Sequence, residues 1–277
     1  MNPLMIVPKA LIRSGLFVAL SLCAVAARAD QPLWEIGVGV GALRLPHYRG
    51  SEQSHSYVLP VPYLVYRGKI FRSDRDGTRA VLFDSERVDL DISVDGNPPA
   101  NSSDNRARAG MSNLAPTAEI GPNVNVMLGR GPGWKLDLRM PLRAVVAVRS
   151  PVKAVGFTFT PVLNLDLDMA GWNIGLQGGP MAASSRYNAY FYSVDPADAT
   201  PARPAYRAGS GFAGWGATAT ASRRLGDWWL AAYVRADSVA GAAFVNSPLI
   251  TQRNNLSVGL GASWIFKVSD ERVAVGR

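Results

Sequence analysis

Cysteine is almost absent from this chain: its 277 residues hold one, Cys23, together with two histidines. Cys23 lies inside an N-terminal leader, so the mature chain is expected to carry no thiol, which excludes disulfides and thiolate metal sites. His47 and His55 stand eight apart with only Glu52 nearby, too few ligands for a metal centre. No cofactor is expected. No block of five or six like charges occurs, so nucleic acid is not an expected partner. Long apolar runs are missing as well. Leu16 to Val25 is about ten residues long, against the ~20 that a spanning helix needs. Beyond the leader no segment carries apolar residues at helical spacing, so helices are not expected to build a core.

The leader reads as an export signal. Lys9 and Arg13 precede the apolar run, and Ala27-Arg28-Ala29 offers a cleavage site before Asp30. Leu22 stands where a lipid-anchored chain would carry a small residue ahead of Cys23. Residues 1–29 are therefore expected to be removed between Ala29 and Asp30, leaving 30–277 as one domain with an extension, 267–277, after its last strand. Removal takes away Lys9, Arg13 and Arg28, and the formal charge falls from +8 to +5.

What the chain has in quantity is alternation. Trp134, Leu136, Leu138, Met140 and Leu142 interleave with Lys135, Asp137, Arg139, Pro141 and Arg143. Val88, Leu90, Ile92 and Val94 interleave with Asp89, Asp91, Ser93 and Asp95, and the same period runs through 157–168 and 256–266. Strand side chains point alternately to two faces, so each segment has an apolar face and a polar one. Many runs reach the ~9–11 residues of a tilted membrane strand rather than the five or six typical of a soluble sandwich.

The expected strands lie near 34–43, 57–66, 69–74, 79–84, 87–94, 117–129, 133–148, 154–168, 171–183, 211–223, 227–238 and 254–266. Links after even-numbered strands are short, and most links after odd-numbered strands are long (44–56, 95–116, 184–210, 239–253). Tight periplasmic turns and long external loops distinguish bacterial outer-membrane barrels. The expectation is all-β: a transmembrane antiparallel up-and-down β-barrel of about twelve strands in the bacterial outer membrane. If one short hairpin in 69–84 lies outside the wall, ten strands remain.

Trp34, Trp134, Trp172, Trp228 and Trp229 each begin a strand at the periplasmic end, and Trp264 closes the last strand there. Together they form an expected aromatic girdle against outer-membrane lipid. The charged alternates (Asp89, Asp91, Lys135, Asp137, Arg139, Arg143, Asp166, Asp168 and Arg235) must then face a lumen that is wet or ion-paired, because unpaired charge in a dry interior is very costly.

Catalytic chemistry is thin. Ser51, Ser54 and Ser56 flank the histidines, yet no orienting acid is specified. Gly37, Gly39 and Gly41 read as small lumen-facing residues of a curved strand, and Gly129 to Gly133 as a turn; neither run is followed by the helix a phosphate-binding loop requires. Tyr187, Tyr190, Phe191, Tyr192 and Tyr206 crowd the loop 184–210. They suit a recognition surface or a fold over the barrel mouth equally.

The stretch Leu45-Pro46-His47-Tyr48-Arg49-Gly50-Ser51, followed by Pro60, Pro62 and Tyr63, resembles the MltA-interacting protein (MipA/OmpV) family. Tyr206 and Gly209, then Ser247-Pro248-Leu249, then the closing Phe266 extend the likeness over nearly all of the mature chain. The resemblance implies a non-enzymatic outer-membrane scaffold linking a membrane-bound lytic transglycosylase with a murein synthase. Some members of that family look like adhesins or antibiotic-responsive proteins; the lumen charges leave a narrow solute channel as an alternative, and the aromatic loop 184–210 a surface adhesin or ligand-binding protein. Eleven residues, Lys267 to Arg277, follow Phe266, where such chains often end on the aromatic.

Overall fold

A computed structural model describes residues 30–68, 71–74 and 77–273. The expected leader lies outside the described residues. The wall is built from β1 (Trp34–Pro46), β2 (Ser54–Arg67), β3 (Phe71–Asp74), β4 (Gly77–Asp84), β5 (Val88–Asn97) and β6 (Thr117–Gly131). It continues through β7 (Trp134–Ala147), β8 (Lys153–Phe159 and Val162–Met169), β9 (Trp172–Ala183), β10 (Gly211–Leu225), β11 (Trp228–Ser238) and β12 (Asn254–Val268). Every neighbour is antiparallel, and β12 pairs with β1 from Val258–Arg44 to Val268–Glu35, closing the sheet into a twelve-stranded barrel. Pairing β12 with β1 removes the two terminal edges that hydrocarbon would leave unsatisfied.

The two segments of β8 are one strand broken by a bulge. Its first part pairs with β7 and the last residues of β9, its second with β7 and the rest of β9, and Thr160-Pro161 belongs to neither ladder. Pro161 has no N–H to give a ladder, which is why the break falls there. Turns at one end are tight. Ala170 and Gly171 both have positive φ, 50° and 81°, the backbone of a two-residue hairpin whose twist matches its strands.

Side-chain direction follows the alternation. Val38 (57% exposed), Val40 (53%), Leu256 (62%) and Leu260 (68%) face outward, while Glu35, Asp91 and Asp137 are buried on the inner face. That inverts a soluble protein, in which large contiguous apolar surface is rare. Gly37 and Gly39 let β1 coil tightly against β12: a Cβ on either would collide with the backbone of Trp264 or Ala262. No helix among the described residues is long and apolar enough to cross a membrane.

The wall is uneven. The β3–β4 hairpin is short, and β3 pairs with β2 only at Tyr66–Ser73 and Arg67–Arg72. On the far side, β4 pairs with β5 only up to Arg79–Ser93. Among the described residues, Ser54–Pro62 of β2 and Val94–Asn97 of β5 therefore have no strand partner on the sides that face each other.

At the turn end, the chain after β12 comes back to the start: Gln31–Pro32 pairs with Arg272–Val273, and the Ser269 amide donates to the Trp34 carbonyl at 2.9 Å. The expected extension is thus partly a closing clasp.

Candidate functional site: a capped, ion-paired lumen

Inward alternates line a cavity of about 1970 Å³ that reaches from Gln31, Pro32 and Val273 at the turn end to Tyr48 and Tyr192 under the loops. All nine charged residues assigned to the lumen by alternation lie on it. They are paired. Asp137 sits between Lys135 (3.2 Å) and Arg139 (2.6 Å), and Arg139 reaches Asp166 at 3.5 Å. Asp91 accepts from the side-chain amides of Asn123 (3.2 Å) and Asn125 (2.7 Å). Arg143 donates to Ser93 Oγ at 2.6 Å and lies 3.5 Å from Asp95. Such partners are what allow ionised groups to sit inside a barrel.

Sequence reading missed other members of this set. Glu35, 2% exposed, holds Arg67 at 2.7 Å and also pairs with Arg224. Glu35 lies between outward Trp34 and Ile36, so alternation could have placed it. Arg49 could not be found that way, because it sits in a loop and reaches down to Asp237 at 3.0 Å, which in turn holds Arg235 at 2.8 Å.

The six tryptophans assigned to a girdle divide. Trp134, Trp172, Trp228 and Trp264 are exposed at the turn end. Trp34 is half-buried there, with the Lys267 ammonium 5.8 Å from its ring. Trp229 is a correction. It lines the lumen against Tyr63, ring centroids 5.4 Å apart, because successive strand residues cannot share a face and Trp228 takes the outer one.

The loop end is closed by a cap. Four segments, 47–53, 98–116, 184–210 and 239–253, pack a buried apolar cluster that includes Tyr48, Tyr187, Phe191, Tyr192, Phe244 and Leu249. A helix, α1 (Ser185–Tyr192), stands where sequence gave only loop; Ser184 Oγ caps it by accepting from the Tyr187 amide. The N-cap serine and the Tyr187/Phe191 pair four apart were its visible signals. The aromatics of 184–210 thus turn inward: Tyr187, Phe191 and Tyr192 are buried, and Tyr190 and Tyr206 pack against them. Of the two readings of these aromatics, folding over the mouth is what the chain does.

Side chains tie the loops through carbonyl oxygens. Tyr48 Oη donates to the Leu249 carbonyl at 2.7 Å, Tyr192 Oη to the Arg49 carbonyl at 3.0 Å and Ser247 Oγ to the Tyr192 carbonyl at 2.6 Å. Tyr192 stacks flat on Phe244 at 3.6 Å. Asn255 accepts from the Gly50 amide and donates to the Ser51 carbonyl. Gly50 has φ 96°, a conformation only glycine adopts without strain. Arg108, 4% exposed, donates to the Phe191 carbonyl at 3.1 Å, and Asn188 to the Gly209 carbonyl at 2.7 Å. Burial pushes the Tyr48 hydroxyl up to about 12, so it stays a donor at any ordinary pH.

The residues carrying the family likeness are thereby sorted. Tyr48, Gly50, Ser51, Ser247, Leu249, Tyr206 and Gly209 meet in the cap, with Pro46 entering it and Pro248 between two of its members. Pro60 and Pro62 sit on the outer face of β2 and Tyr63 on its inner face; Phe266 is exposed on β12.

The serine–histidine candidates do not assemble. Ser51, 1% exposed, has its hydroxyl bound to the Gln53 carbonyl and the Asn105 amide. Asn105 also lies 3.2 Å from His47 Nδ1, so it separates the two groups that a nucleophile–base pair would join. Burial, with His55 beside it, lowers the His47 pKa. Among the described residues no three His, Cys, Asp or Glu side chains form a metal-holding group.

A family model described as MltA-interacting protein MipA matches residues 38–266. No curated protein matches the sequence. Among solved structures, a bacterial polysaccharide outer-membrane secretin is similar at 8% identity and TM-score 0.41, over 86% of this chain and 99% of that one. An outer-membrane channel from Pseudomonas putida F1 gives 10% and 0.41, over 84% and 96%. Outer-membrane phospholipase A from Escherichia coli gives 11% and 0.33, over 85% and 91%. The protein is a β-barrel of the bacterial outer membrane, and the chain belongs to the MltA-interacting protein MipA family.

Proposed function

We propose that this chain is a non-enzymatic anchor in the outer membrane that holds a membrane-bound lytic transglycosylase at its periplasmic end, with a murein synthase as second partner. The family match over 38–266 carries the reading. The geometry supports it in two ways. The cap turns the aromatics of 184–210 inward, so among the described residues that loop offers no cluster of exposed anchors. The periplasmic end carries the strand clasp of Gln31–Pro32 with Arg272–Val273 and a rim of mixed charge that includes Arg130, Arg223, Lys267, Asp227, Asp270 and Glu271. Removal of residues 1–29 at Ala29–Asp30, as an export signal, belongs to the same reading.

The test is capture of each purified enzyme by the detergent-extracted chain at low and moderate salt. Retention of the transglycosylase, weakened by added salt or by R223E/K267E, supports the anchor; no retention of either enzyme refutes it. A second reading, a narrow solute channel, is favoured by the charged cavity beneath the cap. It predicts conductance steps in a planar bilayer, and silence at every voltage removes it.

A further inference from the structure

The stretches of β2 and β5 that lack a strand partner among the described residues border one opening. Val61 and Pro62 of β2 and Val94, Asp95, Gly96 and Asn97 of β5 all line the central cavity, although Pro62 and Val94 belong to the outward set of their strands. Between them the ladder is missing among the described residues, and there outward Pro62 and Val94 reach the cavity beside inward Val61 and Asp95. Along β2 the unpaired stretch Ser54–Pro62 extends roughly 30 Å at about 3.4 Å per residue, and the Tyr57 hydroxyl crosses toward β5 to donate to the Pro99 carbonyl at 3.3 Å.

The edge itself is adapted to staying unpaired. In an antiparallel strand, N–H groups alternate between the two neighbours. Pro60 and Pro62 have none and keep register with Val40 and Val38 of β1, so the positions they occupy are those whose N–H would point across the opening. A bare N–H in hydrocarbon costs several kcal/mol, and a row of them invites strand addition by another chain. Two prolines at alternate positions take two of these N–H groups away and shorten the row a strand could join, leaving those of Ser56 and Val58 nearer the loop end.

We propose that this opening is a side entrance from the bilayer to the lumen, and that it admits an amphiphile whose apolar chain stays among lipid while its polar head enters the cavity. The chemistry on its two sides differs as that molecule does. Outside stand Val58 (73% exposed) and Val94 (55%); inside stand Asp91, Asp95, Asn123 and Asn125. A fully polar solute does not reach the opening from lipid, and a fully apolar one gains nothing from the cavity. The proposal is independent of whether murein enzymes bind.

The test exploits the rarity of cysteine. With Cys23 in the leader, a bimane label on Val61→Cys reports the lumen side of the opening. The same label on Thr218→Cys reports a lumen position whose strand is paired on both sides. In nanodiscs containing phosphatidylcholine with a nitroxide on its acyl chain, the Val61 label is expected to be quenched several-fold more than the Thr218 label. Equal shielding of the two overturns the proposal, whether a further strand or a second chain covers the edge. Should Val61→Cys fail to fold, as judged by heat-modifiable migration, Leu59→Cys replaces it with the same two outcomes.

Discussion

Truncating Tyr192 is the sharpest probe of the cap. Its ring is 3% exposed, stacks on Phe244 and shares the apolar cluster with Tyr48, Phe191 and Leu249; its hydroxyl donates to the Arg49 carbonyl. Tyr192→Ala deletes a buried aromatic, which costs about 4 kcal/mol by analogy with large-to-small core changes. Tyr192→Phe removes only the hydrogen bond, about 1 kcal/mol. Cap opening is a local event, so these energies convert into opening equilibria raised about a thousandfold for Tyr192→Ala and about fivefold for Tyr192→Phe. Hydrogen–deuterium exchange reads them at the amides of Val245, Ser247 and Ile250, which are bonded within the cap. Amides of the β10–β11 ladder serve as the internal standard. Equal acceleration of cap and ladder in Tyr192→Ala, or none in either, refutes the idea that the loops form a separately stable lid held by this ring.

Glu35→Gln leaves Arg67 and Arg224 facing each other without their carboxylate. Arg224 is partly exposed, so the loss is set at about 2 kcal/mol rather than the 3–5 of a fully buried pair, and it appears as unfolding at lower urea in heat-modifiability gels. His47 is held below the ordinary histidine value of about 6.5 by burial and His55. Its contribution to the cap is therefore complete above that value and declines as pH falls through it toward the lower folded pKa. Cap amides are expected to exchange faster at about pH 5.5 than at about pH 7.5 once intrinsic rates are corrected, and His47→Asn flattens that difference. Gly39→Val forces a side chain into Ser263 and the Ala262 carbonyl across the β12–β1 closure, and the variant is expected to yield little folded band on assembly into detergent micelles.

The wall was legible because alternation is a local property. Trp134 to Arg143 and Val88 to Asp95 declare both faces in their own order, and the nine lumen charges followed from parity alone. Local signals also carried the alternation of short and long links. Three things were not legible. Pro161 breaks β8 where the alternating text runs on. Trp229 sits beside Trp228, and topological level alone put both in one girdle. The cap depends on contacts between residues up to about two hundred positions apart, such as Tyr48 with Leu249 and Gly50 with Asn255, which no spacing rule reveals. Its motif residues were noticed through family likeness, and their physical role is to staple loops.

The account rests on a closed sheet that turns apolar side chains to lipid and charge to the inside, and a nitroxide scan along β12 tests this directly. Single-cysteine labels at each position from Leu256 to Ser263 are compared for collision with lipid-dissolved oxygen and with a water-soluble nickel complex. The account predicts a period of two, with Leu256, Val258, Leu260 and Ala262 favouring oxygen and Ser257, Gly259, Gly261 and Ser263 shielded from it. Uniform access to nickel, or a period near 3.6, contradicts it.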